Sequence, residues 1–306
     1  MAEISMRRAK AVNEYFLENG ERAAVQYYGV TTETIHRYLR IANNEKTNRH
    51  PKILLFDLET LPLVAYTWGL YKQNLNYDNI IKDWCCLSWS GKWLYSSEVM
   101  GEVLTTEEAR KRDDKRIMTS LWDLFDQADI LIAHNLLKFD NKRAKTRFIL
   151  NGLTPPSPYQ TIDTLRIARE QFSFASNRLD YLGQLMVRKG KIETNYGLWK
   201  RCDNGEQEAL DYMLEYNKED VNLLEEVYLE IRAWMKSHPN LAIYSEAQDE
   251  CCPVCGGSNL EEKGMYCTNV SAFESLRCRD CGAPSRRRKS VLTKTEKDNL
   301  LVSNAR

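Results

Sequence analysis

Apolar positions recur at helical spacing over roughly the first forty residues; beyond residue 50, strand-like and helical runs alternate. Ala11, Tyr15 and Phe16 share one helical face, and Asn19-Gly20 stops that run. A second short helix is predicted over 21–28, ending at Gly29. A third is predicted from about Thr32 to Ala42, with Thr31 or Thr32 placed to cap it. Residues 43–50 are polar and aperiodic and read as a linker.

The run Ile53-Leu54-Leu55-Phe56-Asp57-Leu58-Glu59 predicts a strand. Residues 84–89 and 93–99 flank Ser90-Gly91-Lys92 and predict a hairpin. Ile117, Leu121, Leu124 and Phe125 mark an amphipathic helix, and the apolar run 130–133 a strand after it. A helix over 141–150 with Gly152 just beyond it, a short strand over 161–163 and a long helix over about 206–235 complete this segment. A hairpin followed by β-α-β order predicts an α/β domain over 51–238, a mixed β-sheet with flanking helices. His238-Pro239-Asn240 breaks the long helix, and a second linker follows. The expected organisation is therefore a small all-α module over 1–45, the α/β domain, a cysteine-rich module over 250–285 and a basic tail over 286–306.

Composition narrows the classes. A chain of 306 residues holds one sizeable core plus one or two small modules. Lys+Arg and Asp+Glu both number 43, so the chain is no uniformly basic nucleic-acid coat, and charge must act through local patches. One patch lies at the end: from 283 to 306, seven basic residues, Arg286, Arg287, Arg288 and Lys289 among them, face two acidic ones. The first ten residues lack the apolar stretch of a signal peptide, and no apolar run approaches the length of a membrane span. A cytoplasmic protein with no membrane partner is expected.

Six of the nine cysteines lie within 251–281, five of them (Cys251, Cys252, Cys255, Cys278 and Cys281) crowded into CxxC-type pairs, which without a secretion signal points to metal rather than disulfides. Cys252-Pro253-Val254-Cys255-Gly256 and Cys278-Arg279-Asp280-Cys281-Gly282 are two CxxCG knuckles, the spacing of a zinc ribbon. Four thiolates close a tetrahedral site, so one structural Zn²⁺ is expected, with Cys251 and Cys267 left over.

Three acidic motifs carry the candidate chemistry. Asp57 and Glu59, two apart on a strand, project from one face, and a bound Mg²⁺ or Mn²⁺ would relieve their repulsion. An isolated pair of this kind also suits a strand end fraying into solvent. Asp140 falls where a strand gives way to a helix, where open α/β sheets place their sites, and also where the helix dipole favours any acid. Tyr216 and Asp220 lie one turn apart on the long helix. A core tyrosine beside a solvated acid would look the same.

In order along the chain, DxE on the first strand, Ala133-His134-Asn135-Leu136-Leu137-Lys138-Phe139-Asp140 and Tyr216-Asn217-Lys218-Glu219-Asp220 resemble the DEDD (DnaQ-like) 3′→5′ exonuclease superfamily. The tyrosine places the likeness in the DEDDy branch. Residues 162–169 and 176–182 are similar to that family too. The resemblance covers about 51–236 and implies a ribonuclease H-like fold. It implies that Asp57, Glu59, Asp140 and Asp220 ligate two Mg²⁺ or Mn²⁺ ions, with Tyr216 helping to hold the attacking water. Two such ions, about 3.5–4 Å apart, clamp the attacking and leaving oxygens of an in-line displacement. Asp163 and His134 are read as structural. The spacing between Asn135 and Phe139 varies among relatives.

The phrase from Tyr28 to Leu39 resembles a helix-turn-helix. That likeness puts Thr32, Thr34, His36, Arg37 and Arg40 on a face turned to a DNA groove. A small helical bundle for protein contact is the alternative. Arg286, Arg287 and Arg288 favour phosphates. Two candidate DNA-binding modules around a nuclease core favour DNA over RNA and suggest a replication or repair assembly. A stand-alone enzyme of this size suits a phage or prophage. Competing expectations are a 3′→5′ exoribonuclease and a DNA-binding regulator with an inactive core.

Overall fold

The computed structural model describes residues 6–32, 34, 35, 38, 51–187, 194–244 and 250–301. The chain forms two compact units, Met1–His50 with Ile243–Asp249, and Pro51–Ala242 with Glu250–Arg306.

In the first unit, helix α1 (Met6–Tyr28) breaks at Gly20, whose φ of 78° and ψ of 174° divide it into two helical stretches. Thr31 Oγ1 accepts the Thr34 amide at 3.2 Å, capping the helical turn that holds Thr32, Thr34, Ile35 and Tyr38. Val12, Ala24, Ile35 and Tyr38 form the small core.

The second unit opens with β1 (Ile53–Leu61), β2 (Val64–Ala65), β3 (Ile80–Lys82), β4 (Cys85–Trp93) and β5 (Met100–Val103). Helices α2 (Thr106–Lys111) and α3 (Lys115–Gln127) follow, then β6 (Ile130–Ala133), α4 (Asp140–Leu150), β7 (Gln160–Asp163) and α5 (Thr164–Gln171). Next come α6 (Leu179–Met186), α7 (Tyr196–Asp203) and the long α8 (Gln207–Ile231). The remaining elements are β8 (Leu260–Cys267), β9 (Ala272–Cys278), β10 (Pro284–Arg286) and α9 (Lys294–Asp298).

The main sheet runs β5-β4-β1-β6-β7, antiparallel at β5, β4 and β1 and parallel from β1 through β7. Helices flank this five-stranded mixed sheet, as expected for the α/β class. Alternation along β1 divides the core. Leu54, Phe56 and Leu58 pack with Ile117, Leu121 and Phe125 of α3. Ile53 and Leu55 join Ile130, Ile132 and Ile162 and, from α8, Val221, Leu224, Val227 and Tyr228. Full burial of each such side chain contributes about 1.5–3 kcal/mol. Asp57 and Glu59 continue the odd-numbered face, so the alternation that buries Ile53 and Leu55 turns both acids towards α8.

One expectation is corrected. Ser90-Gly91-Lys92 is no turn: β4 runs unbroken through it, and Gly91 pairs with Phe56 in the centre of the sheet. A Cβ at Gly91 would lie 3.4 Å from both Leu54 Cδ1 and the Leu55 carbonyl oxygen, so the glycine marks close backbone approach. Lys92 is buried because its ammonium pairs with Glu225 at 2.5 Å. The reversal comes later, where Ser96 N–H donates to the Trp93 carbonyl at 2.8 Å.

The three-stranded sheet β10-β9-β8 carries the cysteine knuckles. It packs on the end of the α8 region through Ala233, and the Leu241 amide donates to the Pro253 carbonyl at 2.8 Å.

Candidate active site

Three carboxylates meet beside the main sheet. Ligand oxygens of Asp57, Glu59 and Asp220 all lie within 4.8 Å of one another. β1 supplies the first two, and its pairing with β4 shifts register just after Glu59, a bulge that bends the strand where the site begins. Asp220 comes from the buried stripe of α8, which includes Met213, Tyr216, Asn217, Val221 and Leu224. The three acids open into a cleft of about 590 Å³ whose walls also include Asp140, Tyr216, Arg169 and Arg178.

Asp140 stands apart from that trio but is tied to it through the backbone. Its carboxylate accepts the amide of Leu58, the residue between Asp57 and Glu59. Burial pushes its pKa from 3.8 up to about 7, and Oδ2 is buried with no hydrogen-bond partner. The turn before it is held from below by Asp163, whose oxygens accept the amides of Asn135 at 3.1 Å and Leu137 at 3.0 Å and also cap α5 through the Arg166 amide at 3.2 Å. Asn135 sits at φ 77°, a conformation that asparagine tolerates better than most residues. His134 has both ring nitrogens engaged, with Thr164 Oγ1 and the Asn177 carbonyl, each at 2.9 Å. Asp163 and His134 therefore shape the turn.

Sequence reasoning missed Asn217. Its amide nitrogen donates to Asp57 Oδ2 at 2.6 Å, while Ser88 Oγ donates to its carbonyl oxygen at 3.3 Å. The only sequence signal is a polar residue on the buried stripe of a long helix, three positions before Asp220. Tyr216 is buried beside the cleft with its ring edge-on to Trp199.

The acids suit a hard divalent cation. Carboxylate oxygens converge from a strand and a helix, and the nearby Asp140 oxygen is buried without a donor; desolvated anions so placed are costly unless a cation joins them.

The four cysteines form a second cluster, Cys252, Cys255, Cys278 and Cys281. Cys252 Sγ lies 3.6 Å from Cys281 Sγ, and Cys255 Sγ 3.6 Å from Cys278 Sγ. A tetrahedral ion with bonds of about 2.3 Å sets its sulfurs about 3.8 Å apart, so the cluster fits zinc. Amides of Val254 and Gly257 donate to Cys252 Sγ and Cys255 Sγ, each at 3.4 Å. Burial pushes the Cys252 thiol up to about 11, a cost that a bound cation relieves by replacing the proton. Cys251 and Cys267 lie outside the cluster.

The expected nucleic-acid contacts divide. Thr32 is exposed and Thr34 half-buried, while His36, Arg37 and Arg40 lie outside the described residues. Arg286 stacks its guanidinium 3.9 Å over the Phe273 ring. Arg287 is engaged by carboxylates, pairing with Glu250 at 2.8 Å, Glu262 at 3.2 Å and also Glu274. Arg288 is exposed.

Sheet and clusters together define an α/β chain with an acidic group that could hold a metal ion and a four-cysteine cluster that could bind zinc. No family model and no curated protein matches it. Among solved structures, the chain is similar to the family B DNA polymerase from the hyperthermophilic archaeon Pyrobaculum calidifontis, over 60% of this chain and 25% of that one, with a TM-score of 0.45 and 12% identity. The chain thus spans about a quarter of that polymerase's length. Among the described residues, no helix is long and apolar enough to cross a membrane.

Proposed function

We propose that the chain is a metal-dependent 3′→5′ exonuclease that hydrolyses phosphodiester bonds of DNA. The observation that carries this reading is the convergence of Asp57, Glu59 and Asp220 within 4.8 Å in an open cleft that Asp140 and Tyr216 also line. Asp57, Glu59, Asp140 and Asp220 would hold two Mg²⁺ or Mn²⁺ ions, which supply charge neutralisation at the phosphate and activation of water. Asn217 keeps Asp57 oriented, Tyr216 borders the place where a nucleophilic water would sit, and Arg169 and Arg178 on the rim attract the phosphate backbone. With both His134 nitrogens occupied, proton transfer falls to the carboxylates and solvent.

The surrounding organisation follows the same reading: a helix-turn-helix module over 1–45 contacting duplex DNA, a catalytic domain over 51–238, a zinc ribbon over 250–285 and a basic tail over 286–306. Tethering of this kind raises the effective concentration of 3′ ends at the cleft. It suits a replication or repair assembly.

The test is a gel time course on 5′-labelled single-stranded DNA, matched RNA and duplex DNA with recessed or overhanging 3′ ends, each with and without Mg²⁺ or Mn²⁺. A metal-dependent ladder shrinking from the 3′ end of DNA is expected, with turnover abolished in Asp57→Ala and Asp220→Ala. Equal activity in both variants would overturn the site, and faster degradation of the RNA would reassign the substrate. DNA binding without degradation would move the assignment to a DNA-binding protein.

A further inference from the structure

A second cleft, of about 910 Å³, lies between the end of the α8 region and the ribbon sheet. Its ribbon wall follows from register. Ser275 pairs with Arg286, Arg277 with Pro284 and Phe273 with Tyr266, so Tyr266, Phe273, Ser275, Arg277 and Arg286 share one face of the sheet. That face alternates rings and guanidinium groups, with Arg286 stacked on Phe273 and 6.0 Å from the Tyr266 ring. The opposite wall presents Trp234, which is 64% exposed, and Lys236; Tyr266 is 50% exposed.

Charge is segregated across the ribbon. Arg287 is neutralised by Glu250, Glu262 and Glu274. Among the described residues, the cleft holds Lys236, Arg277 and Arg286 against a single carboxylate, Glu230, in a chain of zero net charge. Exposed flat rings interleaved with cations match what a single strand offers, unstacked bases beside a phosphate at each step. A duplex hides those base faces within its stack, and a single strand supplies a negative charge beside each exposed base to meet the cations.

The cleft and the acidic site share a helix. Helix α5 borders both: Leu165 and Arg169 line the acidic cleft, and Gln171 lines the ribbon cleft. Just beyond it, Phe172 stacks on Phe174 at 5.0 Å between ring centroids and meets Trp234 edge-on at 5.7 Å. Along α8, Asp220 and the ribbon cleft are about 20 Å apart, or about six nucleotides at the 3.4 Å spacing of a stacked strand.

We propose that the cleft formed by Trp234, Lys236, Tyr266, Arg277 and Arg286 is a binding track for single-stranded nucleic acid. The track holds the part of the strand lying 5′ of the end seated among the acids. Its link to turnover rests on the exonuclease reading; its affinity for a strand does not.

The experiment measures fluorescence anisotropy of labelled oligothymidylates from three to twenty nucleotides with the zinc-loaded Asp220→Ala chain, in which degradation is suppressed. Affinity rises with length to about eight nucleotides and then levels. Trp234→Ala weakens the twelve-mer by between about 5- and 150-fold, the range for loss of one stacking platform. The double variant Arg277→Gln/Arg286→Gln makes the dependence of log affinity on log salt shallower by about 1.4 for two lost phosphate contacts. Lys236→Gln lies outside the ribbon, and its expected loss of affinity with zinc content unchanged separates contact from misfolding. Twelve-mer affinity unchanged in Trp234→Ala and Lys236→Gln would overturn the track, as would a duplex bound as tightly and weakened as much. If the wild-type chain degrades nothing while these losses are found, the track stands and the exonuclease reading falls.

Discussion

Asp140 is buried at a cost that either a proton or a cation can relieve. Without a cation its buried carboxyl keeps its proton up to about 7 in the folded chain, against 3.8 for an ordinary aspartate. Between those values the native state binds more protons than the unfolded one, so this group lowers stability as pH rises through that window. Asp140→Asn removes the effect. In the absence of added Mg²⁺ or Mn²⁺, the variant is expected to be more stable than the parent at pH 8, with a gain no greater than about 4 kcal/mol, and a smaller gain at pH 5. Turnover should be lost. Urea unfolding at the two pH values reads this, and a variant less stable at pH 8 would show that the burial cost has been misjudged. Asn217→Ala is expected to raise the Mn²⁺ concentration for half-maximal turnover by about 10- to 100-fold with the fold intact, because Asp57 loses its orienting donor. A parent-like metal dependence would leave Asn217 with packing alone. Asp57, Glu59 and Asp220 were singled out by the order of their motifs along the chain and the family resemblance that order carries, since each motif alone suits a structural role better; the four cysteines were singled out by knuckle spacing, and the structure brings each set together. Asn217 was not legible in the sequence, since its partners, Asp57 and Ser88, are 160 and 129 residues away.

Elements were legible where their polarity followed their burial. The apolar run 130–133 is β6 as expected, and the long helix is α8, with a 3₁₀ turn, Arg232–Trp234, closing it. β4 was misread because Ser88, Ser90 and Lys92 are buried polar residues in a sheet centre, and two of them are satisfied by α8 through Asn217 and Glu225. The same helix is set at its start by Gly205, between α7 and α8. This glycine has φ 71°, and a Cβ there would lie 2.6 Å from the Thr106 carbonyl oxygen. Thr106 Oγ1 in turn donates to the Gly205 carbonyl at 2.8 Å, docking the turn onto α2. Alanine must adopt a left-handed conformation and displace backbone, so Gly205→Ala is expected to cost about 2–4 kcal/mol. A urea midpoint within about 0.5 kcal/mol of the parent would mean that the turn rearranges freely.

At the scale of the whole molecule, the cysteine cluster and the main sheet derive their stability from different sources. Around β1, β4 and β6, two large apolar cores flank the strands, whereas the cluster around Cys252 and Cys278 gathers only Val254 and Ala283 as further buried residues. A module with so little apolar burial would depend on a metal held by the four cysteines to fold. Removing zinc with a thiol-competing chelator should therefore release one ion per chain and expose the amides of β8, β9 and β10 to rapid hydrogen exchange. Protection in β1, β4 and β6 should remain near its starting value. Cys281→Ser should reproduce the pattern without chelator, since three thiolates leave the tetrahedral site open. Ala233 and the Leu241–Pro253 hydrogen bond join the ribbon to the end of the α8 region, so a modest loss of protection is expected there and should fade towards Asp220. Collapse of protection throughout β1 and β6 would instead make the ribbon an integral part of the α/β core. That outcome would require the cysteines to stabilise the sheet over a distance that none of the contacts joining the two spans.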